Sequence, residues 1–278
     1  MLARIVGQRL AEMIGQPAIV DNRPAAGGTV ATDLVAKAPP DGHTLLIGSI
    51  ATMVIAKAMY SKLPYDPLRD FSHINLWVTF PLALVVHASS PYATTRELIT
   101  AARAKPGTLR FGAQGIGTSS HVFAELMNSM ATMKIIVVPY KGGAPALTGL
   151  LVGEVDYALV AVSTALSQVA AGKVRALAVT SARSVASLPD VPPIAAALPG
   201  YEALNFHGLH ASAKTPARIV ARLREETTRI LQRPDVVKQL NGLAMDIALG
   251  TSAQYEAFLK AQLDQWIPVV RASGAKAE

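Results

Sequence analysis

Short apolar runs alternate with stripes of helical period along most of this chain, and that alternation confines it to layered α/β folds. Leu2, Ile5, Val6, Leu10, Met13 and Ile14 form one helical face, stopped by Gly15. Ala18, Ile19 and Val20 then read as a short strand, 21–28 as a loop, and 30–37 as a second helix ended by Pro39, Pro40 and Gly42. Thr44, Leu45, Leu46 and Ile47 have the β-branched and apolar content of a buried strand. After the loop at 64–67, an extended run over 74–86 is interrupted by Pro81. Helices at 95–104, 120–130, 144–151 and 165–171 alternate with strands at 109–111, 135–138, 155–162 and 174–179. The series predicts α/β layers with mostly parallel sheets.

A stretch marked by Pro189, Pro192, Pro193 and Pro199 leads into a further extended run at 204–209. The two extended runs bracket a self-contained α/β series. They predict a first lobe of 1–80 plus 206–278 and a second of 81–205, with crossings near 79–86 and 204–209. Three helical patterns, 216–231, 234–240 and 253–270, finish the chain. Thr215 before Pro216 predicts a hydroxyl cap with Pro at the first helical position, and the helix at 95–104 takes its cap just before Arg96.

With 278 residues, 51% hydrophobic and 16% charged, the chain is globular rather than disordered. It has no Cys, which excludes thiol nucleophiles, cysteine metal sites and disulfides. The net charge of +7 favours acidic partners. Nucleic acid is not indicated, because Lys and Arg form no run, zinc-finger spacing or aromatic-basic interleaving. Apolar stretches break before reaching about 18 residues, so no membrane span is predicted. The first sixteen residues read as an amphipathic helix without the continuous apolar core and cleavage site of a secretory signal.

Gly112-Ala113-Gln114-Gly115-Ile116-Gly117-Thr118-Ser119-Ser120-His121 places flexible backbone and three hydroxyls at a helix start. Such a segment binds anions, because the first N–H groups of a helix lack partners and carry partial positive charge. The same residue types also build ordinary turns and caps. Two more polar loops follow apolar strands, one with Ser49 and Thr52 and one at 140–143, including Tyr140 and Lys141. A carboxylate, accepting up to about four hydrogen bonds, suits donors of this kind.

Enzyme signatures fail in turn. The loop has no Gly-Lys-Ser/Thr, and Ser119 and Ser120 are not in a Gly-x-Ser-x-Gly elbow. His121 beside them reads as a capping or core-edge histidine. His207 and His210 lack zinc-site spacing, and neither a metal nor a cofactor is expected. Asp156 and Glu154, two residues apart, read as a solvated strand end.

An ordered series of segments is more specific. It comprises Gly15-Gln16-Pro17, Val20-Asp21-Asn22-Arg23-Pro24-Ala25-Ala26-Gly27-Gly28, and Ala36-Lys37-Ala38-Pro39-Pro40-Asp41-Gly42-His43-Thr44-Leu45-Leu46. Leu63-Pro64-Tyr65-Asp66-Pro67, the loop from Gly115 to His121, and Val138-Pro139-Tyr140-Lys141-Gly142-Gly143-Ala144-Pro145-Ala146 follow. Leu177-Ala178-Val179-Thr180 and Leu188-Pro189-Asp190-Val191-Pro192 complete it. In these marks the whole chain resembles the extracytoplasmic solute-binding receptors of tripartite tricarboxylate transporters, the TctC/Bug family.

The resemblance implies a bilobed type II periplasmic-binding-protein fold of two three-layer α/β lobes. It implies capture of a small organic acid, a di- or tricarboxylate or an aromatic acid, without chemistry, and delivery to membrane permease subunits. Its ligand-binding loops correspond to residues 115–120, with Gly115, Gly117, Thr118, Ser119 and Ser120, and to Ser49 and Thr52; Tyr140, from the third polar loop, and Ala161 are further candidate ligand-binding residues. At Val160-Ala161-Val162 the family's common Asp is missing, which implies a different specificity. Family members also start with a signal, a first strand and a glycine-proline loop before the helix that here begins at Met1. Weakened binding and unpaired strand edges are expected without them. The resemblance implies a periplasmic receptor; a monomer is expected, with a dimer through such an edge as the alternative. A small-molecule-processing α/β enzyme joining His121 or Asp156 to Ser119, and a non-binding homologue acting through protein interaction, are the alternative readings.

Overall fold

The computed structural model describes residues 1–23 and 25–276, without the side chains of Ala25 and Ala26; Pro24, in the loop expected over 21–28, lies outside them. Leu2, Ile5, Val6 and Leu10 are the buried face of α1 (Leu2–Ile14), and Gly15 closes it at φ 68°. α2 (Thr29–Ala36) and β1 (Leu46–Ser49) follow. A π-type turn (Ala51–Ile55) continuous with α3 (Ala56–Met59) then leads to β2 (Phe71–Phe80). Beyond Pro81, β3 (Leu82–His87) and α4 (Thr95–Ala104) open a second unit. It continues through β4 (Arg110–Ala113), α5 (Ser119–Ala131), β5 (Ile136–Pro139), α6 (Gly143–Leu151), β6 (Tyr157–Ala161), α7 (Val162–Ala170) and β7 (Val174–Val179). β8 (Asn205–Ser212), α8 (Ala217–Leu231), α9 (Pro234–Asn241), β9 (Asp246–Ile247) and α10 (Ser252–Ala272) end the chain.

Two sheets result. The first, β1-β8-β2-β9, is antiparallel at every pairing; the second, β5-β4-β6-β3-β7, is parallel at β5-β4-β6 and antiparallel where β3 meets β6 and β7. The expectation of mostly parallel sheets therefore holds for three strands of nine. The cause is the crossing geometry. β2 leaves the first sheet and β8 returns beside it, Phe80 opposite Asn205, so the central pair must run in opposite directions. β3 continues from β2 past Pro81 and enters the second sheet against its neighbours.

Local corrections have equally simple causes. Ala18, Ile19 and Val20 form no ladder, and Ile19 is 88% exposed. They face β1 across a groove of ≈ 550 Å³ lined by Val6, Leu10, Val35 and Leu46, and β propensity without a neighbouring strand makes no sheet. The cap of α4 is Thr94, whose hydroxyl accepts from the Glu97 N–H at 3.2 Å. Pro216 is the N-cap of α8 rather than its first turn, and the Thr215 hydroxyl is buried without a hydrogen bond.

α10 ties the two units together. Thr251 and Gln254 form a capping box at its start, where it packs on the first sheet. Fourteen residues later, the fully buried Trp266 stacks on Phe123 of α5, ring centroids 4.9 Å apart and planes 28° from parallel. Tyr201, also buried, donates its hydroxyl to the Phe123 carbonyl at 3.0 Å. One apolar cluster consequently runs through both units.

Candidate functional site

β4, β5 and β6 end on the same side of the second sheet, and α5, α6 and α7 start from their C-terminal ends. That edge is where open α/β sheets bind ligands. Gln114 knits the loops together. Its N–H donates to the Ser120 hydroxyl at 3.0 Å, its carbonyl accepts from Gly142 N–H at 3.0 Å, and its Nε2 donates to the Leu159 carbonyl at 2.9 Å. Sequence reasoning quoted Gln114 without giving it a role; a lone amide amid glycines and hydroxyls was the available signal.

Within the loop, Gly115 and Gly117 have φ of 137° and 73°, conformations that favour glycine. Thr118 caps α5 by position, but its hydroxyl donates to the Gly115 carbonyl at 2.8 Å. Ser120 is fully buried, its oxygen engaged by Gln114. Ser119 is half-buried and its hydroxyl has no partner among the described residues. The N–H groups of Ser119, Ser120 and His121 find no backbone acceptor, as expected for the first turn of a helix. Partial positive charge therefore gathers here without a cationic side chain. Lys141 is exposed.

The remaining expected positions divide. Ala161 ends β6 and caps α7, beside the crossing at Leu82. The Tyr140 backbone lies against Gly115, while its ring covers Gly149 and its hydroxyl donates to Glu154 at 2.8 Å, on α6 rather than toward the loop. Ser49 and Thr52 stand at the end of β1 in the other unit. Thr52 Oγ1 accepts from the Ser49 N–H at 3.2 Å, and the Thr52 carbonyl accepts from the Tyr65 hydroxyl at 2.6 Å. Gly28 approaches Thr52 so closely that a Cβ there would lie 2.9 Å from its methyl group. From the same unit Met59, at the end of α3, reaches Gly117, a contact sequence reading did not anticipate.

The titratable groups are otherwise engaged. His121 Nδ1 accepts from the Gly117 N–H at 3.3 Å; burial lowers its pKa and raises that of Glu125, 3.8 Å from Nε2. Asp156 clamps Arg110, accepting from its backbone N–H at 2.7 Å. Arg110 starts β4, so the clamp is removed from the loop by the length of that strand, about 13 Å. Asp156 and Ser119 thus do not come together. His210 sits between His73, Nδ1 to Nδ1 3.0 Å, and the Tyr255 hydroxyl at 2.8 Å. Among the described residues no three His, Cys, Asp or Glu side chains are grouped to hold a metal, and no helix is long and apolar enough to cross a membrane.

Residues 2–275 match the model of the tripartite tricarboxylate transporter family receptor. A protein from the tcbD-tcbE intergenic region of Pseudomonas sp. strain P51 is 40% identical over 267 residues, 95% of this chain and 79% of its own length. Among solved structures, Rpa4515 of R. palustris with adipate superimposes with a TM-score of 0.90 at 32% identity, covering 99% of this chain and 92% of that one. MatC from Rhodopseudomonas palustris with bound malate gives 0.86 at 31%, covering 97% and 93%. The two sheets are those of the bilobed α/β periplasmic-binding-protein fold, and the chain belongs to the tripartite tricarboxylate transporter receptor family.

Proposed function

We propose that this chain is a periplasmic receptor that captures a small organic carboxylate between its lobes, performs no chemistry on it, and delivers it to membrane permease subunits. The lobes are residues 1–80 with 206–278, and residues 81–205. One carboxylate lies at the start of α5, held by the N–H groups of Ser119 to His121 and the Ser119 hydroxyl. Ser49 and Thr52 approach from the first lobe, and Ala161 and the α7 start border the site from the second.

The observation that carries this reading is the set of orphaned donors at the start of α5, in a loop that Met59 of the other lobe meets at Gly117. A carboxylate satisfies them without a full countercharge. Binding of adipate by Rpa4515 and of malate by MatC, two proteins of the same fold at over 30% identity, supports a dicarboxylate. Calorimetric titration against adipate, malate, other dicarboxylic acids and aromatic acids tests the proposal. Saturable binding of at least one acid is expected; no heat from any member of the panel refutes it.

A further inference from the structure

We propose that Met59 is a positioning residue for solute capture: its thioether, carried on the first lobe, seats on Gly117 of the second-lobe loop and holds the lobes near closure before solute arrives. The inference rests on the site assigned above, but its primary test does not require a ligand.

The contact is defined by what it excludes. A Cβ on Gly117 would overlap both Sδ and Cε of Met59, so the thioether tip lies against the Gly117 Cα on the side a methyl group would occupy. Gly117 has φ 73°, a conformation L side chains rarely adopt, so glycine is required there twice. Met59 ends α3, which is continuous with the Ala51–Ile55 turn carrying Thr52. One rigid segment therefore bears both a first-lobe site residue and the side chain touching the second-lobe loop. Methionine suits such a seat, being unbranched and polarizable enough to follow a backbone surface.

Two of the contacts between the lobes, one on α5 and one in the loop before it, differ in permanence. Phe123 and Trp266 are both fully buried and belong to the cluster shared by the two lobes, so that side stays joined. Met59 is half-buried, and the loop it touches includes Ile116, 49% exposed. Met59 packs at the partly buried margin of that same cluster, whereas Phe123 and Trp266 lie at its fully buried centre. Opening thus pivots on the Phe123–Trp266 side and separates Met59 from Gly117, as in hinge closure around a ligand. Because the contact is made between protein groups alone, it lowers the cost of reaching the binding conformation.

The absence of Cys lets Lys105→Cys and Arg218→Cys, both at exposed positions, one on each lobe, carry a clean pair of spin labels. In the solute-free protein we expect one main interlabel distance, Met59→Ala to broaden it toward longer values, and Met59→Leu to stay near wild type. Gly117→Ala, which places a methyl on the thioether, should open the lobes from the other side. Distributions for Met59→Ala and Gly117→Ala that coincide with wild type, in proteins folded by circular dichroism, overturn the proposal. Should an acid bind, Met59→Ala is expected to weaken it about five- to tenfold; unchanged affinity overturns the positioning role while leaving the carboxylate site intact. An absence of binding in every variant refutes the site, and the label distances still decide the latch.

Discussion

The Ser120 hydroxyl accepts a hydrogen bond from the Gln114 N–H at 3.0 Å across the base of the glycine loop, with Ser120 wholly out of solvent. The hydroxyl is committed to the loop's shape, which in turn sets the direction of the first N–H groups of α5. Ser120→Ala removes the acceptor of the half-buried Gln114 N–H, which costs about 1 kcal/mol. Urea unfolding should register that loss, with an unchanged m-value. A Ser120→Ala protein as stable as wild type would mean that the loop relaxes to find another acceptor.

Its neighbours behave differently. The Thr118 proton is committed to the Gly115 carbonyl, whereas Ser119 still has a proton to give. A hydrogen bond to a charged group is worth roughly 1.5–3 kcal/mol, so Ser119→Ala should weaken an acid at least about tenfold. Thr118→Ala should cost less, through the loop alone. Titration of both variants separates the two; a larger loss in Thr118→Ala would show that its hydroxyl turns to the carboxylate on binding.

What could be read from the residues was local and periodic. The 3.6-residue stripe at Leu2, Ile5, Val6 and Leu10 and the glycine loop before α5 were legible because each is a short-range pattern. Strand direction was not. Whether β8 lies beside β2 or elsewhere depends on pairing across 125 residues, from Phe80 to Asn205, which no window contains. Within the site, hydroxyl-bearing positions were evident but their commitments were not. Thr118 and Ser119 look alike in sequence, and only the Gly115 carbonyl distinguishes them. Tyr140 shows the same limit, since its ring turns to Gly149 and Glu154. Met59 carried no signal, being an ordinary apolar residue until Gly117 is brought against it.

Trp266 provides a test of how the lobes are joined. Replacing this fully buried ring by Ala removes its stack on Phe123 and leaves a large cavity. Such truncations cost about 3–5 kcal/mol. Because the ring bridges the two lobes, the loss should also uncouple them. Calorimetry of Trp266→Ala should show a lower and broader transition than wild type. A single sharp transition at the wild-type temperature would mean that α10 does not bind the lobes together.

Buried histidines set the response to acid. Burial holds His73 and His210 below the ordinary imidazole range, and His207, whose Nδ1 is buried without a partner, falls to about 4. Each therefore binds a proton more readily unfolded than folded. Stability from their neutral forms is complete above pH 6.5 and is lost as pH falls toward each folded value. For His207 that window runs from about 6.5 to about 4 and is worth about 3 kcal/mol at its lower end. His207→Gln keeps an amide able to bond the Gly48 carbonyl that His207 faces, and removes the titration. Unfolding free energies measured between pH 7.5 and 4 should therefore fall less steeply for His207→Gln than for wild type. Parallel curves would assign the acid sensitivity to His73 and His210, whose facing rings 3.0 Å apart at their Nδ1 atoms cannot both take a proton without strong repulsion.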